Sequence, residues 1–134
     1  MANPNIVNVT SIYGNVAYQI PSGTTVGTTW TYDGTSTLTG LKPASGTVNR
    51  VTGVVVSNSH TAAVNATLGI SNNGTYASGT AYYVANAVSV PPNASLIITD
   101  KTTSFYITEN QSIGAISGTS GGYLTFTVTF EAIT

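Results

Sequence analysis

The end of the chain alternates strictly between apolar and polar residues. In YLTFTVTFEAI, residues 123–133, one set is Leu124, Phe126, Val128, Phe130 and Ala132, and the other is Tyr123, Thr125, Thr127, Thr129 and Glu131. Successive side chains of a strand point to opposite faces of the sheet, so a period of two indicates a half-buried strand. The segment predicts a strand whose first set faces the core and whose second set forms a polar face.

Strand signals continue through the chain, and no long run has a helical period. Segments rich in β-branched and aromatic residues predict further strands: 6–13, 16–20, 28–32, 48–57, 62–70, 81–90, 95–99, 104–108 and 112–117. Asn72-Asn73-Gly74 and Pro91-Pro92-Asn93 predict turns, because Asn and Gly tolerate positive φ and Pro cannot donate to a sheet ladder. Many short strands without helices predict an all-β fold, an antiparallel β-sandwich of jelly-roll or Ig-like Greek-key order.

The first third of the chain differs from the rest. Residues 22–47 are rich in Thr, Ser and Gly and have weak periodicity. They predict a long loop, an extended arm or a short hairpin outside the main sandwich. Residues 1–47 are too few to bury a core alone. We therefore predict one unit, in which 1–47 supply an N-terminal strand or arm and 48–134 form the sandwich core.

Charge is scarce in this sequence. Charged residues make up 5% of 134, the formal net charge is −1, and mean hydropathy is +0.19, whereas about 25% is usual in soluble domains. This composition argues against nucleic acid or an anionic membrane as a partner. It favours a chain whose surface is covered by neighbours in an assembly. We find neither a secretory signal at the N-terminus nor an apolar run long enough to span a bilayer.

Candidate catalytic residues are few. His60 lies in SNSHT, which indicates a turn, and the four carboxylates are Asp33, Asp100, Glu109 and Glu131. The first three occupy turn contexts and Glu131 falls on the polar face of the last strand, so no acid–base pair is indicated. One His and no Cys cannot form a zinc tetrad, and no calcium or phosphate loop is present. We predict no catalytic residues, no metal, no cofactor and no enzymatic activity.

Aromatic residues are the best candidates for binding. Trp30 and Tyr32 alternate on one strand, and the adjacent Tyr82 and Tyr83 should point to opposite faces. Such side chains can pack in the core, anchor a protein interface or stack on sugar rings. The sequence leaves all three alternatives open.

Two parts of the chain carry a family resemblance. The opening MANPNIVNVTSIYG and the later VSVPPNASLIITDKTTSFYITENQSI with GGYLTFTVTFEAI resemble small virion structural proteins of tailed bacteriophages, particularly marine and cyanophage types. The resemblance covers residues 1 to about 20 and 48–134. It implies a β-sandwich without catalytic residues that acts as a capsid decoration (cement) protein, or as a neck or tail component. It further implies a homo-oligomer, with a trimer favoured, made in the host cytoplasm and located on the virion, with the capsid surface favoured.

On this reading the partners are the major capsid protein or other virion proteins, and neither nucleic acid nor a membrane is involved. The early strand of the N-terminal segment is our candidate for an arm that adds to a neighbour's sheet edge. The candidate interface residues are Ile6, Val7, Val9, Ile12, Tyr13, Trp30, Tyr32, Tyr82 and Tyr83. The rival hypothesis is a carbohydrate-binding module that contacts host glycans through exposed aromatics.

Overall fold

A computed structural model describes residues 9–32 and 36–134. These residues form ten strands: β1 (Ile12–Gln19), β2 (Thr29–Tyr32), β3 (Ser36–Thr39), β4 (Val48–Asn58), β5 (Val64–Ser71), β6 (Ala81–Val90), β7 (Ser95–Thr99), β8 (Phe105–Ile107), β9 (Ser112–Ser117) and β10 (Leu124–Ile133). Two short 3-10 turns lie at Tyr76–Ser78 and Lys101–Thr103. The predicted all-β class is confirmed.

The strands form two antiparallel sheets. The larger has the order β3-β2-β1-β10-β4-β7, and β8 also pairs with β4. The smaller has the order β6-β5-β9. The inner faces of the two sheets enclose the core, as a sandwich requires. Its largest fully buried side chains are Trp30, Phe126, Leu41, Leu68, Ile107, Ile113, Leu124, Val51, Val54, Val56, Val64 and Val90.

Strand β10 lies in the middle of the larger sheet, between β1 and β4. The predicted alternation is confirmed there: Leu124, Phe126, Val128 and Phe130 are buried. Thr125 and Thr127 are half-buried on the outer face, and Thr129 is exposed. Ala132, which we predicted to be in the core, is half-buried because it lines an open groove at the end of the strand.

The N-terminal region joins the larger sheet. β1 continues through Gly14, where we predicted a break, and it pairs with β2 on one side and β10 on the other. β2 and β3 form a hairpin, from Thr29↔Thr39 to Tyr32↔Ser36. A hairpin was one predicted alternative, but its placement outside the sandwich was wrong. The fully buried Trp30 explains this, because its side chain packs in the core.

Buried polar groups hold the corners between strands. The side chain of Asn58 is buried; its Nδ2 donates to the carbonyls of Ala62, Val90 and Pro91 at 3.0–3.2 Å, and its Oδ1 accepts from the N–H of His60. One amide thereby fixes both the β4–β5 turn and the start of the β6–β7 corner. That corner contains the predicted Pro91-Pro92-Asn93 turn, with Asn93 at φ 51°.

The predicted turns after β7 and β8 also occur. Asp100 caps the turn at Lys101–Thr103, where its Oδ1 accepts from the N–H and the hydroxyl of Thr102. These hydrogen bonds to Thr102 lower the pKa of Asp100. Glu109 lies in the next turn but is buried, and its Oε2 accepts from the N–H of Gly46 at 3.1 Å. The sequence predicted that turn but not this long-range contact.

Candidate functional site

The predicted interface residues of the N-terminal segment separate in the structure. Ile6 and Val7 lie outside the described residues, and Val9 is half-buried. Ile12 and Tyr13 are strongly exposed at the start of β1. Residues 12–19 pair with β10, and Ala17 and Tyr18 also pair with β2. The early strand that we propose as an arm begins at residue 6, and residues 6–8 lie outside the described residues, so the arm stays a prediction.

The aromatic candidates also have different environments. Trp30 is 0% exposed and its Nε1 donates to the carbonyl of Ile113 at 3.2 Å, so the core alternative holds for this residue and it is no surface anchor. Tyr32 is half-buried and packs against the core. Tyr13 and Tyr32 together line an open groove of about 340 Å³. Tyr82 and Tyr83 are far from that groove in the fold, on the edge strand of the smaller sheet.

Strand β6 carries the aromatic pair in an exposed setting. Tyr82 is 61% exposed and Tyr83 is 54% exposed, and Val84 and Val88 are exposed beside them. Tyr82 pairs with Ile70 and Tyr83 with Gly69, so the two rings point to opposite faces as predicted. Register shifts in the β5–β6 pairing indicate bulges along β6. Bulged edges resist simple strand addition, so its side chains are the better candidates for binding.

The edges of both sheets differ in how they are protected. β3, β7 and β8 have four, five and three residues. The outer edge of β9 is covered by backbone hydrogen bonds to Gly23, Gly27 and Gly40. Strand β6 has ten residues, and within the described part of the chain its only partner strand is β5. It is therefore the longest exposed edge that the structure describes.

Further exposed apolar residues lie on β4, β7 and β8 of the larger sheet. β6 contacts β7, to which the Pro91-Pro92 corner joins it. On the outer face of the larger sheet, Val55 pairs with Ile97, which is 66% exposed. We name this surface the β6–β7 flank and define it by Tyr82, Tyr83, Val84, Val88, Val55, Ile97 and Tyr106. Residues 81–99 contain no charged side chain.

Sequence reasoning missed five members of this flank: Val55, Val84, Val88, Ile97 and Tyr106. Val55 lies in the apolar run Val54–Val56, and Ile97 lies in Leu96–Ile98. Continuous apolar runs do not reveal which residue faces outward. The register supplies that information, because a side chain shares its face with its cross-strand partner. Val55 is opposite the outward Thr127, and Tyr106 is opposite Arg50.

Charged groups on the described surface are few, and two of them form an ion pair. Arg50 Nη1 lies 3.8 Å from Glu131 Oε2, and both side chains are about one-third exposed. Such a half-exposed pair contributes about 0–1 kcal/mol. In the turn that contains His60, the ring Nδ1 accepts from the N–H of Ala62 and the ring packs edge-on against Tyr123.

A second groove lies at the end of β1, where its pairing with β2 stops. It encloses about 620 Å³ and is lined by Tyr18, Gln19, Ile20, Pro21, Ser22, Val26, Gly27, Thr28, Thr29, Thr31 and Thr125. None of these residues is charged. We name it the β1–β2 groove. It shares no residue with the β6–β7 flank, although Thr125 on β10 lies diagonally beside Val55 on the neighbouring strand β4.

Among the described residues, no group of three or more His, Asp or Glu side chains is arranged to hold a metal ion. In the same part of the chain, no helical segment has the length and apolar character needed to cross a membrane.

A comparison with models of known protein families and with curated proteins gave no match. The resemblance to phage virion proteins therefore stays a prediction, and the surfaces described above are the basis for a functional proposal.

The buried phenol of Tyr76 gives a pH prediction. Its ring lies over Gly69 and Gly114, a directly opposed pair on β5 and β9, and a Cβ on Gly114 would come within 2.9 Å of the ring. Burial, and then the neighbouring Tyr83, raise the pKa of Tyr76 above 10.0. The folded state therefore keeps a proton that the unfolded state releases, so stability falls as pH rises above 10.0.

Denaturant unfolding from about pH 8 to about pH 11 would measure this loss. Tyr76→Phe should lose less stability across that range than the wild type. Tyr82→Phe, which changes an exposed phenol, is the matched control and should behave like the wild type. Equal pH dependence in all three proteins would contradict the assignment.

Proposed function

We propose that the protein is a non-catalytic structural protein of a phage virion, specifically a capsid decoration protein that binds the shell through the β6–β7 flank. The observation that carries the proposal is the set of exposed apolar side chains that defines the flank, with no charged residue from 81 to 99. A free-standing sandwich normally places polar and charged groups on its outer surface. Tyrosines flanked by aliphatic residues are typical anchors of protein interfaces.

One of the segments that carry the family resemblance contributes residues to this flank. Residues 90–113 form the β6–β7 corner, β7, the capped turn, β8 and the start of β9. The part of the chain that resembles virion proteins thus supplies Ile97 and Tyr106 to the flank. We propose the major capsid protein as the partner, with a neck or tail protein as the alternative partner, and a homo-oligomer, with a trimer favoured, on the virion.

The mechanism we propose is mechanical. Covering the flank removes apolar area from water, and each buried Å² contributes about 25 cal/mol before the costs of association. A protein that binds the assembled shell but not its separated subunits stabilises the shell by linkage. Because the flank has few charges, little polar desolvation opposes its burial.

Incorporation of variants into particles tests the proposal. Ile97→Glu places a carboxylate in the centre of the proposed interface, so we expect the number of copies per particle to fall by at least about tenfold, since an unpaired buried charge costs several kcal/mol. Ile12→Glu is the matched control, because Ile12 is 57% exposed but lies on β1. It should incorporate normally.

The measurement is quantitative mass spectrometry of purified particles supplied with each variant, together with cryo-EM to locate the added density. Circular dichroism would verify that both variants fold. Wild-type incorporation of Ile97→Glu would refute the flank as the attachment surface. Density at the neck or tail would select the alternative partner and exclude the capsid surface.

A further inference from the structure

We infer that the β1–β2 groove is a binding site for a neutral saccharide. This inference goes beyond attachment to a shell, since the groove and the β6–β7 flank share no residue. A volume of about 620 Å³ falls within the range of small-molecule sites, roughly 300–1,000 Å³. The groove is open to solvent along one side, as a binding site for a chain of sugar units has to be.

The groove arises where two strands separate. β1 pairs with β2 only at Ala17↔Tyr32 and Tyr18↔Thr31. Beyond that point the side chain of Gln19 bridges the strands, because its Nε2 donates to the carbonyl of Thr29 at 2.9 Å. Gln19 is 6% exposed, and its Oε1 is buried without a hydrogen-bond partner among the described residues.

A rigid wall holds this arrangement in place. Gly27 lies against the Gln19 amide, where a Cβ would be 2.8 Å from Cδ and 3.0 Å from Oε1. The N–H and carbonyl of Gly27 bond to Ala115 on β9 at 2.7 and 3.0 Å. The wall therefore cannot relax easily to supply a donor to Oε1. The Gln19 amide is therefore a fixed polar part of the groove wall, and the contacts with a ligand fall to the exposed groups of the lining.

The other lining groups define the chemistry of that ligand. Tyr18 is 42% exposed at the rim, and Thr29, Thr31 and Thr125 provide hydroxyl groups around it. An exposed ring beside several hydroxyls can stack on the apolar face of a sugar while exchanging hydrogen bonds with its hydroxyls. A phosphate or a carboxylate would find no cation here, since none of Lys42, Arg50 and Lys101 lines the groove. This excludes nucleic acid and favours neutral over acidic sugars.

The test is NMR titration of the full chain with maltotriose, lactose and mannobiose, and with sialyllactose as the acidic comparison. We expect saturable binding of at least one neutral sugar, with shift changes confined to residues of the β1–β2 groove. Tyr18→Ala should weaken that binding by about tenfold or more, and Tyr18→Phe should retain it within about twofold, because the ring face makes the contact.

Tyr106→Ala is the matched control, because Tyr106 is 44% exposed on the outer face of the same sheet but lies on the flank. It should bind the sugar like the wild type. The inference is overturned by no saturable binding of the three neutral sugars, by shift changes outside the groove, or by equal losses in the Tyr18→Ala and Tyr106→Ala variants. Tyr18→Ala should enter particles normally, so this result is independent of the attachment test.

Discussion

Trp30→Ala should lower the free energy of unfolding by about 3–5 kcal/mol, the range for truncating a buried aromatic side chain. Trp30 is fully buried between the sheets. Its removal opens a cavity among side chains of both layers, because the larger sheet supplies Phe126 and the smaller sheet supplies Ile113 to the same cluster. For a domain with a total stability of about 5–15 kcal/mol, this is a large fraction.

The hydrogen bond of Trp30 adds to this effect. Its Nε1 donates to the carbonyl of Ile113 at 3.2 Å, which connects the β2–β3 hairpin to β9 in the opposite sheet. In the alanine variant that buried carbonyl loses a donor, and a lost partner costs about 1–3 kcal/mol where water cannot replace it. The hairpin would then be held mainly by β1.

Urea denaturation monitored by circular dichroism measures the change. Trp30→Phe separates the two contributions, since it retains most of the packing and removes only the donor. Thr31→Ala is the control on the opposite face of the same strand, and should change stability by less than about 0.5 kcal/mol. A Trp30→Ala variant as stable as the wild type would show that the hairpin does not contribute to the core.

Gly40→Ala should destabilise the fold by about 2–4 kcal/mol, because a positive φ and a close contact act together. Gly40 has φ 64°, and a Cβ there would lie 2.6 Å from the Cβ of Ser112. Its backbone is fixed on both sides: the N–H donates to the carbonyl of Thr28 at 2.5 Å, and the carbonyl accepts from Ile113 at 2.7 Å. Gly40 cannot move away from Ser112 without breaking one of these two hydrogen bonds.

Gly46→Ala is the control for the conformational part of that effect. Gly46 has φ 74° but has nothing within 4 Å of its Cβ position. Gly46→Ala should lower the free energy of unfolding by only about 1 kcal/mol, the usual penalty of an L-residue in the left-handed region. Both values come from denaturant unfolding of the purified variants. Equal losses at the two glycines would contradict the close approach of Gly40 to β9.

The sequence predicted most individual strands from residue 48 onward. Ala81–Val90, Ser95–Thr99 and Ser112–Ser117 have the predicted bounds. These segments are bounded by Pro, Asn, Gly or Asp, whose backbone preferences act within a few residues. Within residues 22–47, the predicted strand 28–32 occurs as β2, but β3 and the place of the hairpin in the larger sheet were not predicted, because Thr and Gly obscure the period. The apolar side chains that place the hairpin in the core, Trp30 and Leu41, are separated by polar residues.

The candidate surfaces were less predictable than the strands. Tyr82 and Tyr83 were predicted to point to opposite faces, since adjacent strand residues diverge, but the sequence left open whether they pack in the core or lie exposed, as they do. Ile97 and Val55 were not identified, because a continuous apolar run does not show which of its residues face outward. The β1–β2 groove had no sequence signal, because it depends on where the β1–β2 pairing stops.

The sequence by itself determined the strand class, the turn positions and the two faces of β10, since each follows from contacts between near neighbours in the chain. Only the tertiary structure decided the strand order, the open edge at β6 and the exposure of the flank. Those features depend on pairings such as Ile12↔Ile133, which join residues at opposite ends of the chain. A local period specifies which face of a strand is apolar, but it does not specify which strand will lie beside it or which edge will stay uncovered.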